Sequence, residues 1–204
     1  MMVIKRPPTK GERTRKAIID RAKVVFEGRR YHEVNAAMIM SELPQAKSTF
    51  YIHFDSVLDV VAELFFEFTS VWGSREKEWY TAETDLPRHL KKNIRNLSSL
   101  TFKDWLGIRL LLEASSQDPA AQAIIDNFAE DVSRQVAQNL RRQQAIGAIR
   151  ETLDADVMGY QMFHINCRLV SEWVRRPDQD PQGLADQLSS IWIPTFYLLD
   201  PTTV

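Results

Sequence analysis

Between residues 47 and 53 the chain places Lys47, Ser48, Thr49, Tyr51 and His53, five side chains that each offer an N–H or O–H donor. An ammonium, hydroxyls and an imidazole in so short a stretch suit acceptors such as phosphate oxygens and the edges of bases. Catalytic arrangements are harder to find. The glycines form no phosphate-cradling loop, and the four histidines (32, 53, 89 and 164) show no H-E-x-x-H spacing. Nothing resembles a nucleophile elbow. His164 and Cys167 stand i, i+3 on one helical face and lack a third metal ligand, so neither a metal nor a cofactor is expected.

Charge is distributed to match. Residues 1–54 carry eleven Lys and Arg against five Asp and Glu, a balance of +6, while the remaining 150 carry −7, which together make the overall −1. A basic first segment beside an acidic body points to a polyanionic partner for that segment alone. The opening MMVIKRPPTKGER is polar after four residues, and no window approaches eighteen apolar residues, so neither a secretory signal nor a membrane span is expected. One cysteine, Cys167, excludes an internal disulfide and agrees with a cytoplasmic location.

The elements that must hold the donors are helical. Apolar residues recur at helical spacing, and the chain reads as all-α with about nine helices. Thr9 and Glu12 form a capping box for a first helix whose buried face is Ile18, Ile19, Ala22, Val25 and Phe26. Asn35 suits the N-cap of a short helix carrying Met38, Ile39 and Leu43, which Pro44 interrupts. A second short helix runs from about Gln45 to Tyr51. Ser56 and Asp59 cap a long fourth helix with an apolar face from Val57 to Trp72. Later starts are marked by Pro87, Thr101, Asp118-Pro119, Asp154 and Asp180-Pro181, and stops by Gly147 and Pro177. Two short helices around a tight turn over residues 35–54 form a helix-turn-helix, in which one helix braces another that enters a major groove. Ile39, Leu43, Phe50 and Phe54 are its expected core.

With these residues in view, the stretch from Arg15 to Leu58 resembles, without gaps, the tetracycline-repressor (TetR-type) regulators. The Ile18 to Phe26 stripe, Tyr31, Ile39 and the run Thr49-Phe50-Tyr51-Ile52-His53-Phe54 carry the likeness, the last of these matching the family's T-L-Y-x-H-F signature. The chain departs from the pattern at Arg30, Leu43-Pro44, Ala46 and Val57. The resemblance implies a three-helix DNA-binding domain over 1–56 and a larger ligand-binding and dimerisation domain over 57–204. It also implies that Tyr51, His53 and the N-terminal ends of the first two helices, the second capped by Asn35, touch phosphate, while Lys47, Ser48 and Thr49 face bases. Lys5, Arg6, Lys10 and Arg13 form a basic arm able to reach a neighbouring groove.

For the larger domain the resemblance implies a homodimer paired through the last two helices, with Val157, Ile165, Leu169, Leu188, Ile191, Trp192 and Phe196 as candidate seam residues. Phe65, Phe68, Trp72, Trp105, Leu112, Met158, Met162 and Phe163 concentrate large side chains that suit a pocket, and Arg109 and His164 could orient its ligand. The function expected is a repressor that binds a palindromic operator and is released by a small, largely apolar effector. Two alternatives stay open: an all-helical enzyme, and a family member that no longer binds DNA.

Overall fold

The computed structural model describes residues 6–75, 77–99, 102–173 and 180–197, with residues 71–75, 77, 102 and 103 described by their backbone alone. Among these are ten α-helices: α1 (Lys10–Phe26), α2 (Ala36–Met40), α3 (Phe50–His53), α4 (Val57–Arg75), α5 (Lys77–Thr81), α6 (Leu86–Ser98), α7 (Phe102–Ser115), α8 (Pro119–Ala145), α9 (Ala155–Trp173) and α10 (Pro181–Phe196). One-turn 3₁₀ segments lie at Tyr31–Glu33 and Lys47–Thr49, and no strand occurs among the described residues.

The helix starts follow local chemistry. Glu12 N donates to Thr9 Oγ1 at 3.2 Å and Thr9 N to Glu12 Oε2 at 2.5 Å, closing the expected capping box, and the carboxyl of Glu12 lies below its usual range because those Thr9 groups favour its charged form. Asn35 Oδ1 accepts from Met38 N at 3.1 Å. Ser56 and Asp59 exchange the same pair of bonds ahead of α4. Asp118, Asp154 and Asp180 each accept from backbone N–H groups in the first turn that follows. The expected start at Thr101 and stop at Pro177 lie outside the described residues.

The all-α reading with about nine helices holds, with one helix more, and two expected boundaries are corrected. The tenth helix is α5, a single turn with neither cap nor proline to mark it; packing supports it, since Trp79 is 1% exposed and donates from Nε1 to Tyr197 Oη at 3.1 Å. The first short helix ends at Met40, where Ser41 Oγ donates to Met38 O at 2.9 Å, so Leu43 sits half-buried in the turn instead of in the helix. The second begins as the 3₁₀ turn and becomes α-helical at Phe50, extending to His53 instead of stopping at Tyr51.

Packing divides the chain into two compact units. The first comprises Met1–Phe68 and Leu106–Gln122. Its core holds Ile18, Ala22, Phe26, Ile39, Phe50, Val60, Val61 and Leu110, all fully buried. Helices α4 and α7 cross backbone to backbone: a Cβ on Gly107 would lie 2.3 Å from the carbonyl carbon of Leu64. Arg109, also on α7, donates to Phe26 O and Arg29 O at 3.3 Å and to Glu113 Oε1 at 3.0 Å, and Glu113 Oε2 accepts from Tyr31 N at 2.9 Å. The guanidinium thus binds open carbonyls at the C-terminus of α1 and in the turn behind it, while the carboxylate accepts from the guanidinium and from the Tyr31 N–H.

The second unit comprises Thr69–Trp105 and Ala123–Val204. In it α10 lies along α6, and α9 packs antiparallel to α8, with Gly159 against the carbonyl of Ser133 and Phe163 edge-on to Phe128. Leu188, Trp192 and Phe196, expected at a seam between copies, are instead core of their own chain, at most 2% exposed, because this face of α10 is covered by α6 and α5. Trp192 and Phe196 stack at 5.6 Å, and Trp192 Nε1 donates to Asn166 Oδ1 at 2.8 Å.

Candidate nucleic-acid interface

The interface is built outward from two buried rings. Phe50 and Phe54, four residues apart with centroids 5.6 Å apart, sink one side of the 47–54 segment into the first unit's core. The opposite side is thereby turned outward: Lys47 and Ser48 are exposed, Tyr51 is 56% exposed, and Thr49 and His53 are half-buried. The helical period requires this outcome, since burying positions 50 and 54 leaves 47, 48 and 51 on the other face. The Tyr51 ring meets Phe50 edge to face at 5.4 Å, which steadies its apolar body while the hydroxyl stays in water.

Two further features join this face. The Cβ position of Gly11 lies 3.9 Å from His53 Cε1, so the first turn of α1, carrying Lys10 and Arg13, adjoins the end of α3. Asn35 serves as a cap, its Oδ1 used by Met38 N. Of the expected basic arm, Lys5 lies outside the described residues and Arg6 precedes α1, but Lys10 and Arg13 are corrected to exposed positions in the first turn of α1, because the Thr9 cap starts the helix ahead of them.

Electrostatics separates structural cations from available ones. Arg15 bridges Glu63 at 2.8 Å and lies over the Phe54 ring at 4.6 Å; its hydrogen bond holds the Glu63 carboxyl below the usual range and raises the guanidinium above its own. Lys16 pairs with Asp20, Arg21 with Glu42 and Lys23 with Glu67. Arg6, Lys10, Arg13, Arg30 and Lys47 have no carboxylate partner among the described residues. Four of these five are residues that sequence reasoning selected. It missed Arg30 as an available cation, and it missed Ile52, which at 77% exposure is the most exposed large apolar side chain among the described residues. The signal for Ile52 was its place between Tyr51 and His53 in the signature, where the core takes only Phe50 and Phe54.

The residues expected to line a ligand pocket fall in both units. Phe65 and Phe68 are buried in the first and stack at 6.3 Å; there too lies half-buried Leu112, while the Arg109 guanidinium is engaged with α1. Trp105, Met162 and Phe163 are buried in the second unit, Met158 is half-buried and His164 is exposed. The side chain of Trp72 lies outside the described residues. A cavity of about 570 Å³ in the second unit is lined by Glu83, Asp85, Leu86, Pro87, Arg150 and Tyr197, and another of about 470 Å³ between α8 and α9 includes His164. Among the described residues no three metal-ligating side chains converge, and no helix is long and apolar enough to cross a membrane.

No family model matches the chain, and no curated protein matches it either. Solved structures do. A protein of Saccharomonospora viridis described as a transcriptional regulator, in complex with choline, superposes with a TM-score of 0.70 at 18% identity, covering 92% of this chain and 99% of its own. The fatty acid degradation regulator FadR of Bacillus halodurans gives 0.71 at 17%, covering 92% and 97%. The TetR-family transcriptional regulator PfmR of Thermus thermophilus gives 0.66 at 15%, covering 84% and 94%. This chain has the fold of these regulators along nearly their whole length.

Proposed function

We propose that this protein is a TetR-type transcriptional regulator that binds operator DNA through residues 35–54 within a DNA-binding domain over 1–56. One observation carries the reading: on the exposed side of the segment anchored by Phe50 and Phe54, Lys47, Ser48 and Tyr51 face solvent, and the cations left without carboxylate partners include Lys10, Arg13 and Lys47. Unpaired cations can release the counterions of a phosphate backbone, whereas cations already bridged to carboxylates contribute little. Lys47, Ser48 and Thr49 read base edges, with Ile52 available to a thymine methyl, while Tyr51, His53 and the first turns of α1 and α2 hold phosphates. Arg6, with Lys5, extends the contact as a basic arm.

The regulator acts in the cytoplasm as a homodimer on a palindromic operator, because two reading heads bind two half-sites about one DNA turn apart. The expected seam is the last two helices; of these, α9 carries the exposed apolar residues Val157, Tyr160 and Ile165. A small, largely apolar effector held by residues 57–204 releases it, giving a repressor without catalytic activity. The neighbours solved with choline or described as acting in fatty acid degradation support a ligand-responsive role.

The test is a mobility shift with DNA flanking the protein's own gene at two salt concentrations. Saturable binding that resists competitor DNA and weakens steeply with salt is expected. Salt-insensitive binding, or affinity unchanged when Lys47 and Tyr51 are both replaced by alanine, overturns the reading and favours a member that no longer reads DNA.

A further inference from the structure

Three successive residues in the last turn of α8 fasten three separate segments of the second unit. Arg142 Nη1 donates to Ala82 O at 2.8 Å, in the stretch between α5 and α6. Gln143 Oε1 accepts from Tyr197 Oη at 2.7 Å, and that hydroxyl accepts in turn from Trp79 Nε1 at 3.1 Å. Gln144 Nε2 donates to Arg150 O at 3.0 Å and to Leu153 O at 2.8 Å, holding the turn that Gly147 opens in the left-handed region at φ 70°. One helix end thereby positions residues 83–87, residues 147–150 and Tyr197, the three segments that line the cavity of about 570 Å³. A cleft of this size suits a small molecule, and walls fixed beforehand leave little ordering to be done on binding.

Its charges are divided between the walls. One wall carries Glu83 and Asp85 and the other carries Arg150, all three exposed. Asp85 stands at the N-cap of α6 with its backbone in the left-handed region at φ 51°, and its carboxylate makes no capping bond but pairs with Arg88 at 3.5 Å. Arg150 is steadied by the Thr195 carbonyl, to which its Nη2 donates at 2.9 Å. Neither Glu83 nor Arg150 has an ion-pair partner among the described residues, although they line one cleft. Leu86, Ile149 and Tyr197, all buried, supply an apolar floor.

These features select a ligand class. A wholly apolar molecule leaves both charges without a partner, a simple anion meets Glu83 and Asp85, and a simple cation meets Arg150. A molecule with an ammonium at one end, a carboxylate at the other and an apolar body satisfies every part of the cleft. We infer that this cleft binds a zwitterion of that kind, an amino acid or short peptide with an apolar side chain, its ammonium at Glu83 and Asp85 and its carboxylate at Arg150. The cleft shares no residue with the set expected to hold the effector of the proposed regulator, and its occupancy is measured without DNA.

Isothermal titration calorimetry of the full chain with leucine and with alanyl-leucine tests this, each compared with its C-terminal amide and its N-acetyl derivative. Saturable binding of a zwitterion is expected, with both derivatives at least about 10-fold weaker, since each lacks one charge-assisted contact. The tighter of leucine and alanyl-leucine assigns the cleft to free amino acids or to peptides. Arg150→Gln is expected to abolish discrimination against the amide, and Glu83→Gln discrimination against the N-acetyl form, with circular dichroism verifying that each variant stays folded. The Glu83 side chain has no hydrogen-bond partner among the described residues, so Glu83→Gln decides the matter even where the loss of the bond to Thr195 unfolds Arg150→Gln. Absence of saturable binding by either zwitterion at millimolar concentration overturns the inference. So does equal affinity for the derivatives, or binding that Glu83→Gln leaves unchanged in strength and preference.

Discussion

Residue by residue, the proposed interface separates anchors from readers. Lys47→Ala and Tyr51→Ala are each expected to weaken operator binding by about 1–3 kcal/mol, but in different ways: loss of Lys47 relaxes preference at one base pair, whereas loss of Tyr51 weakens specific and random DNA alike. Titration of both variants against the operator and a scrambled duplex distinguishes the two. Asn35→Ala removes the cap that Met38 N uses and is expected to cost about 1 kcal/mol in urea denaturation. A second residue-scale expectation concerns alkali. Burial pushes the Tyr197 phenol up to about 12 from 10.0, partly offset by its hydrogen bonds with Trp79 and Gln143. The folded state therefore holds this proton more tightly than the unfolded chain, so the contribution to stability is complete below pH 10 and is lost as pH rises through about 12. Burial raises the Cys167 thiol to about 12 as well, adding a loss of the same sign. Thermal melts from pH 9 to 12 should fall in the wild type and fall less in Tyr197→Phe, which starts lower because Trp79 Nε1 and Gln143 Oε1 lose their partner. A Tyr197→Phe protein with the wild-type slope contradicts this account.

Among the elements, two glycines set how closely helices approach. A Cβ at Gly107 would lie 2.3 Å from the Leu64 carbonyl carbon and oxygen, and one at Gly159 would lie 2.4 Å from Ser133 O; backbone cannot swing aside as a side-chain tip can. Gly107→Ala and Gly159→Ala should each cost about 3 kcal/mol or more, read as a lower denaturation midpoint, despite alanine's better helix propensity. The elements also show what could be read from sequence. Thr9 with Glu12, Asn35, Ser56 with Asp59, and Asp180 were legible because a cap is satisfied within three residues of itself. Helix α5 was not legible, since its support is a bond from Trp79 to Tyr197, 118 residues away. Nor was the early end of α2, where Ser41 competes for the Met38 carbonyl ahead of the more conspicuous Pro44.

For the whole molecule, the separation of a basic first segment from an acidic remainder governs how it meets a polyanion. Two copies presenting Arg6, Lys10, Arg13 and Lys47 offer eight cations free of carboxylate partners, which places the slope of log K against log salt near about −7 at most. A slope close to zero would show that the head does not neutralise phosphates. The sequence by itself determined the helical class, the caps, the stripe from Ile18 to Phe26 and the donor cluster from Lys47 to His53, because these depend on neighbours within one or two turns. Tertiary structure alone decided which cations remain free: Arg15 is taken by Glu63, 48 residues on, and Lys23 by Glu67, pairings that no helical period announces. It also decided which apolar faces are covered. Leu188, Trp192 and Phe196 have the same spacing whether they face a partner copy or their own chain, and only the packing of α10 on α6 distinguishes the two; it buries them and leaves Tyr160 outside.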